Sequence, residues 1–130
     1  MDKKIKVSID IDGTINSSDT SVSFFQMMTH LLIPEAHITI LTNREPGTEA
    51  QIADELAQMK IQYDEIVITP DKADYIQKNN ISVVIDNEDE YIQGLGKDVL
   101  VLKAREEGNY NYNTHKWYGD RNIVEMIDES

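Results

Sequence analysis

Apolar positions along the chain switch between two periods. Ile5–Ile9 is a short β-branched run of strand type, and residues 37–41, 66–68, 83–85 and 99–102 repeat that signature. The stretches between them read differently. Residues 21–32 have helical character, and residues 48–59 carry Ile52, Leu56 and Met59 at helical spacing. Thr48 is placed to cap that second helix, with Gln51 as its capping-box partner. Residues 71–78 form a third, short helical segment. Strands alternating with helices predict an α/β fold, a three-layer sandwich built on a five-stranded parallel sheet covered on both faces. Residues 105–120, rich in Gly, Asn and Tyr, read as irregular, and residues 122–127 as a last helix.

Length and composition narrow the picture. A chain of 130 residues, 40% hydrophobic and 28% charged, suits one domain, residues 1–130, that buries its own core. No apolar run approaches the roughly 20 residues of a membrane span. The opening Met-Asp-Lys-Lys-Ile-Lys leads straight into a strand rather than an apolar signal core, so a cytoplasmic location is expected and no membrane partner. Zero cysteines exclude disulfides and thiolate chemistry, which leaves oxygen and imidazole as metal ligands. A formal charge of -12 with scattered basic residues argues against long nucleic acid as a partner. It permits a small phosphorylated substrate where a divalent cation reverses the local field.

In open parallel sheets, functional groups gather beyond the carboxyl ends of the strands. Asp10 and Asp12 end the first strand, Thr42 and Asn43 the second, and Asp86 the fourth, with Lys72 ahead of the fourth strand. Two carboxylates two residues apart, followed by Gly13, can divide labour. One attacks phosphorus, and the other serves as general acid and base. Thr42, the backbone N–H of Asn43 and Lys72 offer donors and a cation to phosphoryl oxygens. Asp86 with Asp10 supplies oxygen ligands of the kind Mg²⁺ prefers.

These residues resemble the haloacid dehalogenase (HAD) superfamily of aspartyl-phosphate-forming phosphatases, motif by motif. Asp10-Ile11-Asp12-Gly13-Thr14 is similar to the first motif, Ile40-Leu41-Thr42-Asn43 to the second, Lys72 to the third and Val83-Val84-Ile85-Asp86 to the fourth. Within it the chain looks most like the small 5'(3')-deoxyribonucleotidase-like bacterial phosphatases. The resemblance implies that Asp10 is the nucleophile, that Asp12 is the acid/base residue and gives a backbone carbonyl to magnesium, and that Asp86 is a metal ligand. Asn87 stands where relatives often carry a second acid, which leaves Asp89 or Glu90 to supply it. The span from Thr14 to Thr42 is too short for a cap domain. An open site follows, unless a second copy in a homo-oligomer or the C-terminal loop covers it.

Several residues carry a plainer reading beside the functional one. Arg44 either grips substrate or pairs with Glu45 or Glu49. Lys72 lies near a helix start, where lysines are usually solvated, and Lys78 is the fallback. The three histidines lack an arranged partner. Tyr110, Tyr112, Trp117 and Tyr118 suit packing over the sheet edge, with a lid as the functional alternative. A receiver domain is disfavoured because Thr69-Pro70 stands where its phosphorylated aspartate would be. The expectation is an Mg²⁺-dependent phosphomonoester hydrolase acting on a nucleotide or sugar phosphate; the alternative is a catalytically silent phosphate-binding or regulatory module.

Overall fold

The computed structural model describes residues 3–119. Five parallel strands, β1 (Ile5–Ile9), β2 (Ala36–Thr42), β3 (Glu65–Ile68), β4 (Val83–Asp86) and β5 (Leu100–Lys103), form one sheet in the order β3-β2-β1-β4-β5. Four helices cover it: α1 (Asp19–Leu32), α2 (Glu49–Gln58), α3 (Lys72–Lys78) and α4 (Asp89–Ile92). The fold is therefore the α/β three-layer sandwich that the alternation of periods predicts. No cap domain lies between β1 and β2, where α1 is the only helix. Among the described residues no helix is long and apolar enough to cross a membrane.

Side-chain alternation along the strands divides the core into two layers. Val7, Ile9, Ile38, Ile40 and Ile85 pack with Phe25 of α1 and with Ile52 and Leu56 of α2. Leu41 and Val84 face the other way and pack with Ile76 of α3 and Ile92 of α4. The interior strand β2 is covered on both faces, which explains its near-continuous burial, Thr39 and Thr42 included.

Some local expectations need correction. Thr48 precedes α2, but no capping box forms, because its hydroxyl donates back to the Glu45 carbonyl at 2.7 Å. Ser18 caps α1, accepting from the Ser21 N–H at 3.1 Å, so the helix starts earlier than residue 21. The short α4 was not anticipated. Within 105–120, β6 (Tyr110–Asn111) and β7 (Lys116–Trp117) pair antiparallel where irregular chain was expected. The helix expected at 122–127 lies outside the described residues.

Strand order reverses beside β1, which pairs with β2 on one edge and β4 on the other. Crossovers leave in opposite directions there, opening a crevice at the strand ends.

Candidate active site at the β1/β4 switch point

Register places the two key carboxylates side by side. Ile9 lies opposite Ile85, so Asp10 and Asp86 follow on adjacent strands, and the Asp10 N–H donates to the Ile85 carbonyl at 3.0 Å. Lys72 enters from the start of α3. Its Nζ donates to Asp10 Oδ1 at 2.7 Å and to Asp86 Oδ2 at 2.8 Å. The Lys72 side chain is only 2% exposed, so the plainer reading of a solvated lysine does not describe it. Lys78, the fallback, is exposed and pairs with Asp74.

Every oxygen of the two carboxylates has a donor. Thr14 Oγ1 donates to Asp10 Oδ2 at 3.1 Å, and the N–H groups of Asn87 and Glu88 donate to Asp86 Oδ1 at 2.7 and 3.0 Å. Burial pushes the Asp10 carboxyl up to about 6, opposed by Lys72 and reinforced by the nearby charge of Asp86. Burial would lower the Lys72 ammonium, but its two carboxylate partners outweigh that and raise it.

Between β1 and α1 the chain makes a wide turn, closed by the Asn16 N–H on the Ile11 carbonyl at 3.2 Å. Gly13 takes φ 79° there, which an L side chain rarely adopts, and a β-carbon would collide with the Asn87 amide. Asp12, within this turn, bonds to a different cation from Asp10 and Asp86. Its carboxylate receives Arg44 Nε and Nη2, both at 2.9 Å, and Asn16 Nδ2 at 3.1 Å. That bidentate bond holds the Asp12 carboxyl below the usual carboxylate range, against its partial burial.

Arg44 has a second carboxylate partner, Glu55 of α2, bonded through Nη1 and through Nη2 at 3.2 Å. Neither Glu45 nor Glu49 is that partner. Thr42 is buried at the end of β2. The Asn43 side chain donates to the Tyr91 hydroxyl at 2.9 Å, and Lys72 Nζ sits 4.7 Å from the Tyr91 ring centre. Tyr91, on the unanticipated α4, thus connects two expected site residues and was missed in sequence.

Neither candidate for the second acid of the fourth motif joins Asp10 and Asp86. Asp89 pairs with Lys103 at 2.7 Å, and Glu90 is exposed. Asn87 is the residue there, 4% exposed. Its Nδ2 donates to Glu106 Oε1 at 3.1 Å, while its buried Oδ1 has no hydrogen-bond partner among the described residues. Among those residues no three acidic or imidazole side chains converge as a metal cluster. None of the three histidines takes part in these contacts; His37 lies 3.8 Å from Glu65.

No protein-family model matches the sequence, and no curated protein does. Two solved structures share the fold. One is a chain in the structure of a Pnkp1/Rnl/Hen1 complex, with a TM-score of 0.59, 17% identity and 81% of this chain covered. The present chain spans about half of that one, 48% of its length. The other is the crystal structure of an uncharacterized protein from Corynebacterium glutamicum ATCC 13032, with a TM-score of 0.57 and 14% identity over 95% of this chain and 92% of that one. At such identities the likeness establishes the α/β architecture alone.

Proposed function

We propose that this protein is a phosphomonoester hydrolase that works through an aspartyl phosphate, with Asp10 as nucleophile and Asp12 as general acid and base. The observation carrying this reading is the buried Asp10–Lys72–Asp86 cluster at the switch point, with a third carboxylate, Asp12, in the turn that follows Asp10. The motif resemblance to the HAD superfamily supports the same assignment.

The residues present fit a magnesium ion. Two carboxylates and one ammonium leave a net negative site, and an orphaned buried amide oxygen, Asn87 Oδ1, follows directly on Asp86. Asp10, Asp86 and Asn87 would hold the ion, with the Asp12 backbone carbonyl as the resemblance implies. When bound, it offsets the repulsion between the Asp10 carboxylate and an anionic phosphate.

A carboxylate oxygen of Asp10 attacks phosphorus while the bond from phosphorus to the alkoxide breaks, and Asp12 delivers a proton to that alkoxide, releasing an alcohol. Water then attacks the aspartyl phosphate and gives its proton to Asp12. The bond between phosphorus and Asp10 breaks, and both carboxylates return to their starting states. Thr42, the Asn43 N–H and Lys72 hold the phosphoryl oxygens throughout. Thr14 keeps the Asp10 carboxylate oriented through its hydroxyl. Before substrate arrives Arg44 holds Asp12 as a carboxylate; an incoming phosphate anion opposes that charge state, so Asp12 takes a proton from solvent before the first step and gives one back to solvent when phosphate leaves.

The test is release of inorganic phosphate from p-nitrophenyl phosphate with Mg²⁺. We expect turnover that chelator removes, and at least about 10³-fold loss in Asp10→Asn, in line with the removal of a covalent nucleophile. Near wild-type turnover in that variant would overturn the mechanism. Because Lys72 and Arg44 already satisfy the acidic groups, the second reading is a silent phosphate-binding module. It predicts phosphate binding without release.

A further inference from the structure

Three strands and the chain that leaves them bring polar groups to the switch point: Thr42 and Asn43 at the end of β2, Lys72 at the start of α3 after β3, and Asp86 at the end of β4. Tyr91 of α4 touches two of these groups at once. Its hydroxyl accepts from Asn43 Nδ2 at 2.9 Å, and its ring centre lies 4.7 Å from Lys72 Nζ. Its own N–H donates to the Glu88 carbonyl at 3.1 Å, and the Glu88 N–H donates in turn to Asp86 Oδ1 at 3.0 Å. One side chain on a short helix is therefore tied to the ends of β2 and β4 and to the start of α3.

Packing alone does not call for these contacts. The Tyr91 ring lies against the layer of Leu41, Ile76, Val84 and Ile92, which a phenylalanine or a leucine would fill as well. The hydroxyl adds a polar end, and that end meets Asn43. Lys72 poses a second requirement. An ammonium carries three N–H groups, and two of these serve Asp10 and Asp86. The face of an aromatic ring attracts a cation across its area rather than along one lone pair, so the ring matches the buried charge without fixing where each N–H points.

We propose that Tyr91 is a positioning residue for phosphoryl transfer, acting through Asn43 and Lys72 rather than on the substrate itself. The inference rests on the phosphohydrolase reading. The Tyr91 hydroxyl anchors the Asn43 side chain, and so holds the Asn43 backbone N–H in place for a phosphoryl oxygen. The ring backs Lys72 while its N–H groups turn from the two carboxylates toward the phosphoryl oxygens. Donors fixed in advance cost no reorganisation as charge develops, so the benefit falls on the transition state more than on the bound ester.

The experiment measures hydrolysis of p-nitrophenyl phosphate with Mg²⁺, and inhibition by orthovanadate, which mimics the five-coordinate transition state, and by inorganic phosphate, which mimics the ground state. Tyr91→Phe keeps the ring and the packing and removes only the hydroxyl. It should lower kcat about fivefold with KM within about twofold of wild type, the pattern left by loss of an interaction made in the transition state. Orthovanadate should bind this variant about fivefold more weakly, while the affinity for inorganic phosphate stays the same. Asn43→Ala keeps the backbone N–H and should show the same loss, and the double variant should again lose only about fivefold, because the hydroxyl acts through that side chain. Tyr91→Leu also removes the ring face beside Lys72 and should lower kcat about threefold further. Wild-type kcat in Tyr91→Phe, losses that multiply in the double variant, or equal weakening of orthovanadate and phosphate would overturn the positioning role and leave the phosphohydrolase reading standing. If the wild type releases no phosphate from the ester, that reading falls and takes the role of Tyr91 with it.

Discussion

A lysine at the first turn of a helix ordinarily reaches water along its flexible stem. Lys72 is buried because two carboxylates from adjacent strands wait at the end of that stem, and neither could be buried without a cation between them. Removing it strands the charges. Lys72→Met should therefore destabilise the fold by about 3–5 kcal/mol, the usual consequence of breaking one side of a buried pair. Mg²⁺ should raise the melting temperature of this variant more than that of the wild type, because the ion restores positive charge to the same carboxylates. Thermal unfolding with and without Mg²⁺ measures both effects, and an unchanged melting temperature in the variant would refute the structural role. In the sequence Lys72 could be placed near the site, but not told from a surface lysine. Glu55 was beyond reach as the Arg44 partner, because that choice depends on how α2 lies against the end of β2.

Among the elements, the start of β3 shows how one side chain can begin a ladder. Asp64 precedes β3; its N–H donates to the Ile38 carbonyl at 2.8 Å, and its Oδ2 accepts the Ile38 N–H at 2.7 Å. Lys3 adds an ion pair at 3.0 Å. Partial burial would raise this carboxyl, but the Ile38 N–H and Lys3 hold it below the ordinary range. A depressed carboxyl stabilises the fold above its unfolded-state pKa, and that stability is lost as pH falls through the lower, folded pKa. Asp64→Ala should cost about 1–3 kcal/mol at neutral pH, because the buried Ile38 N–H loses its acceptor. The gap from wild type should narrow in acid; a gap independent of pH in denaturant titrations would contradict this account. Other elements explain the misread boundaries. α1 buries Phe25 but exposes Phe24, Met27 and Leu31, so its apolar residues mark no single face and its start is visible only in the Ser18 cap. The β6–β7 hairpin is held by aromatic contacts, Trp117 on Tyr110 and Lys103 over Trp117, which show no strand periodicity.

At the scale of the whole molecule, a formal charge of -12 opposes the approach of any phosphate ester. Added salt screens this field beyond about 8–10 Å near 0.1 M but leaves the buried cluster largely untouched. Raising sodium chloride from about 20 to 200 mM should therefore lower the KM for an anionic ester, with kcat little changed. A KM that rises with salt would mean that the positive groups at the site dominate the long-range field instead. The same charge opposes long polyanions, in keeping with the small ester proposed as substrate.

The sequence by itself determined the strands, most of the helices and the set of residues at the strand ends. Those features rest on periodicity and on short spacings such as Asp10 to Asp12, which backbone geometry translates directly into position. Tertiary structure decided what depends on register and on side chains meeting across elements. It set Asp10 beside Asp86 through the β1–β4 pairing, drove Lys72 between them, and placed Arg44 between Asp12 and Glu55. It also put Asn87, rather than Asp89 or Glu90, against Gly13. These partners lie far apart along the chain, so no local pattern carries them; they are selected by which arrangement leaves the fewest buried charges and hydrogen-bonding groups unmatched.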